Sequence, residues 1–163
     1  MSTIKWNGRN LLKTIAQNEA AATRLYRIIG SEARIGEQFF ELLAKDEERH
    51  EKIYNALFEK FSEKMELEIE QSNAEYVDLL VESNVLFDDE LVEKAKKIFT
   101  KSQIFDLAER AERDALLFVT ELQRLYPDMA KEEMAVILKE EQGHLKKVLE
   151  RKKESQPMFG RGM

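Results

Sequence analysis

The stretch FFELLAKDEERHEKIYNALF, residues 39–58, carries the pattern that decides the fold. Its apolar residues recur at alternating steps of three and four, which predicts a helix with one buried face. The two central positions of that face hold Glu47 and His50 instead of apolar residues. The apolar positions around them are Phe40, Leu43, Tyr54, Leu57 and, just beyond the stretch, Phe61. The pattern therefore predicts an acid and an imidazole inside the core.

The same arrangement occurs twice along the chain. In each copy, a helix with one glutamate on its apolar seam precedes a helix with a Glu-x-x-His motif on its seam. The spacing from Glu19 to Glu47 differs by a single residue from the spacing from Glu112 to Glu141, which indicates an internal repeat. Both histidines of the chain belong to the pattern. The six polar seam residues are Glu19, Glu47, His50, Glu112, Glu141 and His144.

The chain is predicted to be almost entirely helical, because it contains only two prolines and six glycines. Ser31 is a candidate N-cap for the second long helix, and Asp128 is one for the fourth. Pro127 disfavours helical geometry at the residue before it and therefore ends the third. The four long helices are expected at about residues 10–29, 31–61, 101–126 and 128–153.

Residues 62–88 are polar and poorly periodic, which predicts a long crossover that carries one short helix. A further short helix is expected over residues 89–99, capped by Asp88 or Asp89. The predicted fold class is therefore all-α: a four-helix bundle with a long crossover between helices 2 and 3.

Length and composition limit the classes of function. With 163 residues, the chain is predicted to form one domain, residues 1–154, followed by a tail, residues 155–163, that is flexible or docked on a partner. Its charges of both signs are interspersed and its net charge is −6, which argues against nucleic-acid and anionic-membrane binding. Without cysteine, it has no disulfide, iron–sulfur cluster or thiolate zinc site. No segment has the apolar character of a signal peptide or membrane span, so the expected location is cytoplasmic.

The acids on the seams predict bound cations. Residues three apart on a helix share a face, so each Glu-x-x-His motif presents both groups to one site. Burying one unpaired carboxylate costs several kcal/mol, and four would consume roughly the 5–15 kcal/mol stability of a typical domain. Two divalent cations would balance the four carboxylates, with two neutral imidazoles completing the coordination. The alternative is that the acids lie on solvated faces and the histidines are incidental.

The donor set favours particular metals. Oxygen-rich coordination with one imidazole per ion suits iron or manganese, whereas zinc takes fewer and more nitrogen-rich ligands. Iron is the expected redox metal, and the spacing is equally compatible with manganese. Two such ions, each supplying one electron, can reduce an O–O bond by two electrons. Hydrogen peroxide and dioxygen are therefore the expected oxidants.

Four pieces of the sequence, which span most of residues 10–150, resemble one known group of proteins. The arrangement resembles the ferritin-like di-iron carboxylate superfamily and, within it, is most similar to rubrerythrin. The resemblance implies a ferritin-like four-helix bundle that holds two iron ions. The pieces are EAAATRLY (19–26), DEERH (46–50), ERAE (109–112) and EEQGH (140–144).

The resemblance also implies a seventh ligand and a redox switch. Rubrerythrins carry a second glutamate one turn away on the third long helix, and the pair Glu109 and Glu112 matches that feature. Which of the two takes the symmetric role stays open, and Glu109 as a solvated helix residue is the alternative. In the family, the extra glutamate exchanges at one iron with the histidine that corresponds to His50.

Two tyrosines lie on the same seams as the candidate ligands. Tyr26, two turns after Glu19, is expected to hydrogen-bond a ligand and is the candidate catalytic residue, a role that the resemblance supports. Tyr54, one turn beyond His50, is expected to be a core aromatic residue whose hydroxyl is satisfied.

The chain departs from rubrerythrin proper because it has no cysteine and hence no rubredoxin domain. Electrons would then come from an external donor, such as a rubredoxin-like protein. The favoured function is an oxidoreductase that reduces hydrogen peroxide (or dioxygen) as a homodimer, in defence against oxidative stress. The alternatives are a ferroxidase or iron-handling ferritin-like protein and a metal-free helical interaction module.

Overall fold

Four long helices and a helical crossover make up the fold. The computed structural model describes residues 5–31, 37–61, 65, 68–88, 90–97 and 100–154. The bundle consists of α1 (Gly8–Ser31), α2 (Glu37–Phe61), α5 (Lys101–Leu125) and α6 (Lys131–Glu154). The crossover from α2 to α5 carries α3 (Gln71–Ser83), a 3-10 helix (Val85–Phe87) and α4 (Leu91–Lys96). The all-α bundle with a long crossover between its second and third long helices is thus confirmed. The predicted tail lies outside the described residues, and the domain boundary stays a prediction.

The helices pair in the order that the internal repeat predicts. α1 packs along α2 and α5 packs along α6, while contacts of α1 with α5 and of α2 with α6 close the bundle. The other predicted apolar seams are Leu12, Ile15, Ala22, Tyr26 and Ile29 for the first long helix, Phe105, Ala108, Ala115, Val119, Leu122 and Tyr126 for the third, and Ala130, Met134, Ile137 and Val148 for the fourth. All four seams are buried wherever the structure describes their side chains, apart from Tyr126 and Ala130. These two are half-buried where the chain passes from α5 to α6. The periodicity therefore identified the core-facing side of each helix.

Two predicted helix caps are wrong because the helices begin elsewhere. Ser31 is the last residue of α1, and its hydroxyl donates to the carbonyl oxygen of Ile28 at 2.8 Å. Asp128 precedes α6 by three residues, and its carboxylate lies 3.3 Å from Lys131 Nζ. Ala130, with φ of 44°, turns the chain into the helix instead. α5 does end before Pro127, as predicted.

Hydrogen-bonded caps define two other helix starts. Asn7 precedes α1, and its Oδ1 accepts from the backbone N–H of Asn10 while Asn10 Oδ1 accepts from the N–H of Asn7, both at 2.8 Å. Thr100 and Gln103 form the same reciprocal capping box at the start of α5. Before α4, the Asp88 carboxylate accepts from the N–H of Glu90 at 2.9 Å, whereas Asp89 lies outside the described residues.

The crossover is fastened to the start of α1. The N–H of Ile69 donates to the carbonyl oxygen of Trp6 at 2.8 Å, and the N–H of Arg9 donates to that of Met65 at 3.1 Å. The buried Trp6 indole N–H donates to Asp78 of α3 at 2.6 Å. Trp6 thus covers the end of the bundle where α1 begins.

Replacing Gly8 with alanine is expected to destabilise the protein by about 1–3 kcal/mol, because the space is already filled. A Cβ at this position would lie 2.7 Å from both Met65 Cβ and Tyr126 Oη. Gly143, inside α6, is the matched control, since a Cβ there meets nothing within 4 Å. Gly143→Ala is expected to stabilise by roughly 0.5–1 kcal/mol through helix propensity. Urea unfolding of the metal-free variants measures both, and equal effects of the two substitutions would contradict this assignment.

Among the described residues, no helix combines the length and the apolar character that crossing a membrane requires.

Candidate metal centre

The six polar seam residues form one layer across the bundle. α1 and α5 each contribute one glutamate, and α2 and α6 each contribute a glutamate and a histidine. None of the six is more than 3% exposed. The layer separates two apolar clusters: one contains Tyr26, Phe40 and Phe105, and the other contains Tyr54 and Phe118. The sequence pattern therefore placed all six groups correctly in the core.

The candidate ligand atoms fall into two sets of four. One set comprises Glu19, Glu47, His50 and Glu141, and the other comprises Glu47, Glu112, Glu141 and His144; within each set the atoms lie within 4.8 Å of one another. Glu47 and Glu141 belong to both sets, so their carboxylates lie between the two positions. Each set adds one glutamate and one histidine of its own. This is the geometry of two adjacent sites with two shared carboxylates.

Both histidines present the same ring nitrogen to the centre. Nδ1 of His50 lies 2.7 Å from Glu141 Oε1, and Nδ1 of His144 lies 2.7 Å from Glu47 Oε1. The ring centroids are 6.0 Å apart. Metal ions in dinuclear sites are about 3.5–4 Å apart, so two rings at this separation suit one ion each.

The outward nitrogens face carboxylates on the opposite helix. Nε2 of His144, on α6, makes a 2.9 Å hydrogen bond with Asp46 of α2. Nε2 of His50, on α2, lies 3.5 Å from Glu140 of α6, close to its carboxylate but without a hydrogen bond. A carboxylate behind a ligand histidine fixes the ring and leaves the other nitrogen free for a metal. The arrangement thus favours both Nδ1 atoms as donors toward the centre.

Many polar atoms of the centre lack hydrogen-bond partners. Within the described residues, both carboxylate oxygens of Glu47 and of Glu141 have none, and neither does Nδ1 of His50 or of His144. One oxygen each of Glu19 and Glu112 is also without a partner. Native proteins seldom leave buried polar atoms in this state, because each costs about 1–3 kcal/mol or more when charged. No lysine or arginine among the described residues is buried to neutralise them.

The carboxylates perturb one another electrostatically. Burial raises the pKa of Glu19 and of Glu141 well above its ordinary value, and the negative charge of Glu47 raises it further. Burial disfavours the charged form of His144, but the nearby carboxylates of Glu112 and Glu47 raise its pKa to about 11. The metal-free centre therefore retains protons where a loaded centre would hold cations.

The residues fit a pair of divalent cations. Carboxylate oxygen and imidazole nitrogen atoms are ligands of iron and manganese, and two +2 ions match four carboxylates in charge. The unpartnered oxygen and nitrogen atoms converge on the two positions that such ions would take. Glu47 and Glu141 would serve both ions, Glu19 and His50 would complete one site, and Glu112 and His144 would complete the other.

The two tyrosines differ in their hydrogen bonding. The Tyr26 hydroxyl donates to Glu112 Oε1 at 2.6 Å and so contacts a candidate ligand. The Tyr54 hydroxyl is buried and has no partner among the described residues, unlike the satisfied hydroxyl that was expected. A catalytic role for Tyr26 stays a prediction.

Glu109 is not brought to the centre. Its carboxylate lies 3.0 Å from Lys152 Nζ and 2.9 Å from Arg113 Nε at the side of the bundle, and it belongs to neither set of candidate ligands. Lys152 and then Arg113 lower its pKa, which keeps it ionised in place. Glu112 is the inward member of the pair. A seventh ligand at Glu109, and a switch with His50, stay predictions that this geometry does not support.

Asp46 and Glu140, with Arg49 between them, contact the outer side of the cluster, and the seam pattern did not predict them. They lie outside the apolar stripes, so helical periodicity gives them no weight. The available signal was that an acid immediately precedes each Glu-x-x-His motif, as Asp46-Glu47 and as Glu140-Glu141.

Replacing Tyr26 with phenylalanine is expected to weaken metal binding at the Glu112–His144 site by about 10- to 100-fold, because a ligand carboxylate loses its hydrogen bond. Tyr54→Phe is the matched control and should leave the affinity unchanged, since its hydroxyl bonds to no described group. Titration with Co(II), followed by visible absorption, measures both. Equal affinities for the Tyr26→Phe variant and the unsubstituted protein would contradict the role assigned to this hydrogen bond.

The fold and the centre together define a class: ferritin-like helical bundles with a buried carboxylate–histidine cluster. The family model described as Rubrerythrin matches residues 10–152, which includes every residue of the cluster. The chain therefore belongs to the rubrerythrin family. No curated protein and no solved structure matches it significantly.

Proposed function

We propose that the protein is a di-iron oxidoreductase that reduces hydrogen peroxide with electrons from an external donor. The observation that carries the proposal is the pair of overlapping four-residue sets, which share Glu47 and Glu141. Membership of the rubrerythrin family, whose members typically bind iron, supports iron over manganese. Two bound Fe(II) ions supply the two electrons that reduction of one O–O bond requires.

The chain's own residues supply the surroundings of that reaction. Reduction of one hydrogen peroxide to two waters consumes two electrons and two protons. The Tyr26 hydroxyl keeps its proton and donates a hydrogen bond to Glu112 Oε1 at the edge of the centre. The Tyr54 hydroxyl has no partner among the described residues, so it is available to donate a hydrogen bond to the peroxide substrate. The apolar clusters on either side exclude bulk water from the layer.

The remaining parts of the proposal concern partners. The chain has no cysteine to hold a rubredoxin-type iron, so a separate protein such as a rubredoxin would re-reduce the centre. We further propose a homodimer in the cytoplasm that acts against oxidative stress and binds neither nucleic acid nor membranes. Size-exclusion chromatography tests the dimer, and steady-state turnover with added reduced rubredoxin tests the donor.

Stopped-flow mixing tests the activity. The Fe(II)-loaded protein is mixed with hydrogen peroxide or with dioxygen, and its oxidation is followed by near-ultraviolet absorption. Peroxide is expected to oxidise the centre faster than dioxygen, at one peroxide per chain. Faster oxidation by dioxygen would contradict the peroxidase assignment and favour the ferroxidase alternative. Glu141→Gln is the control, because a protein that cannot hold the iron pair should show neither fast phase.

A further inference from the structure

We propose that Arg49 is a positioning residue that holds both candidate ligand histidines in place at once. This inference rests on the proposed dinuclear centre and extends it outward by two layers of residues. Arg49 lies on α2 at the bundle surface, with its side chain 46% exposed. Arg49 is not on the apolar face of α2, and no chemistry of the centre requires a guanidinium at its position.

The geometry around Arg49 joins the two halves of the centre. Its Nη2 donates to Asp46 Oδ1 at 3.2 Å and also to Glu140 Oε2. The other oxygen of Asp46 is hydrogen-bonded to His144, and the same Glu140 oxygen lies 3.5 Å from His50. One cation therefore contacts both carboxylates, and each carboxylate faces one histidine. The chain of contacts runs from His144 through Arg49 to His50.

The internal repeat shows that this connection is asymmetric. Asp46 and Glu140 occupy equivalent positions in the two copies, but Arg49 corresponds to Gly143 on α6. A single arginine thus serves two carboxylates from different helices. Without it, two like charges would approach each other across the seam between α2 and α6, and each would be free to rotate away from its histidine. Removing a carboxylate that lies behind a ligand histidine typically weakens metal binding by about 10- to 100-fold.

The position assigned to Arg49 predicts which sites each variant affects. Arg49→Gln removes the charge and should weaken both metal sites together by about 10- to 100-fold. Asp46→Asn should weaken only the site that contains His144, and Glu140→Gln only the site that contains His50. Arg49→Lys keeps a cationic nitrogen within reach of both carboxylates and should recover much of the affinity.

Stepwise titration with Co(II), followed by visible absorption, provides the test in the full-length protein, with circular dichroism as the check on folding. Loss of affinity at both sites in Arg49→Gln, with recovery in Arg49→Lys, supports the inference. Two unchanged sites in Arg49→Gln, or weakening of one site alone, contradict it. Should Arg49→Gln fail to fold, weakening of the same site by Asp46→Asn and by Glu140→Gln would contradict the inference instead. If the unsubstituted protein binds no Co(II), the proposed function fails, and the inference fails with it.

Discussion

Replacing Glu141 with alanine is expected to abolish binding of both metal ions, whereas replacing Glu19 with alanine should remove only one. The reason is the overlap of the two sets: Glu141 belongs to both and Glu19 to one. The side chains are equally buried, so the two variants lose the same groups from similar surroundings. Metal analysis after Fe(II) loading and desalting gives the number of ions per chain.

The remaining glutamates complete this comparison. Glu47→Ala should lose both ions, as Glu141→Ala does. Glu112→Ala should lose one ion, as Glu19→Ala does, but from the site that contains His144 instead of the site that contains His50. Thermal melting of the metal-free variants serves as the control for folding. Retention of one ion by Glu141→Ala, or loss of both by Glu19→Ala, would show that the carboxylates are not shared as the geometry indicates.

The metal-free protein is expected to lose stability as pH rises, and the stabilisation gained on adding metal should grow over the same range. The pKa values of Glu19 and Glu141 are raised above the 4.5 of the unfolded chain, mainly by burial. Their contribution to stability is therefore present below pH 4.5 and is lost as pH rises through their folded pKa values. The contribution of His144 is present below its unfolded pKa of 6.5 and is lost as pH rises through about 11.

The size of this effect follows from proton linkage. Each proton that the folded state holds and the unfolded state does not costs up to about 1.4 kcal/mol of stability per pH unit. Metal binding displaces these protons, so affinity should increase by up to roughly tenfold per pH unit for each one displaced. Urea unfolding between about pH 5 and pH 9, with and without Fe(II) under anaerobic conditions, measures both trends.

Glu141→Gln is the matched control for the pH series. The amide keeps the shape of the side chain but does not ionise, so the decline in metal-free stability should become shallower. The same variant should gain nothing from added metal. A metal-free protein whose stability rises between neutral and alkaline pH would contradict the account of the buried acids.

The sequence predicted the parts of the molecule that helical periodicity controls. Glu47 and His50 were recognisable because Leu43 and Tyr54 on the same stripe required burial, and the structure buries all four. The crossover was recognisable from the loss of that periodicity after Phe61. The repeat then related each copy of the helix pair to the other.

Features that depend on packing between distant segments were not predictable in this way. Glu109 shares a turn with Glu112, yet Lys152 from the end of α6 holds it at the side of the bundle. That contact depends on how α5 and α6 align, which the spacing within one helix does not specify. The cap assigned to Asp128 failed for a related reason, because the tight turn at Ala130 delays the start of α6.

Anomalous diffraction from Fe(II)-loaded crystals tests the central claim most directly. Two iron peaks per chain are predicted inside the bundle, one beside Glu19 and His50 and the other beside Glu112 and His144. Glu47 and Glu141 should contact both peaks. A single peak, peaks outside the bundle, or no iron at these residues would contradict the account.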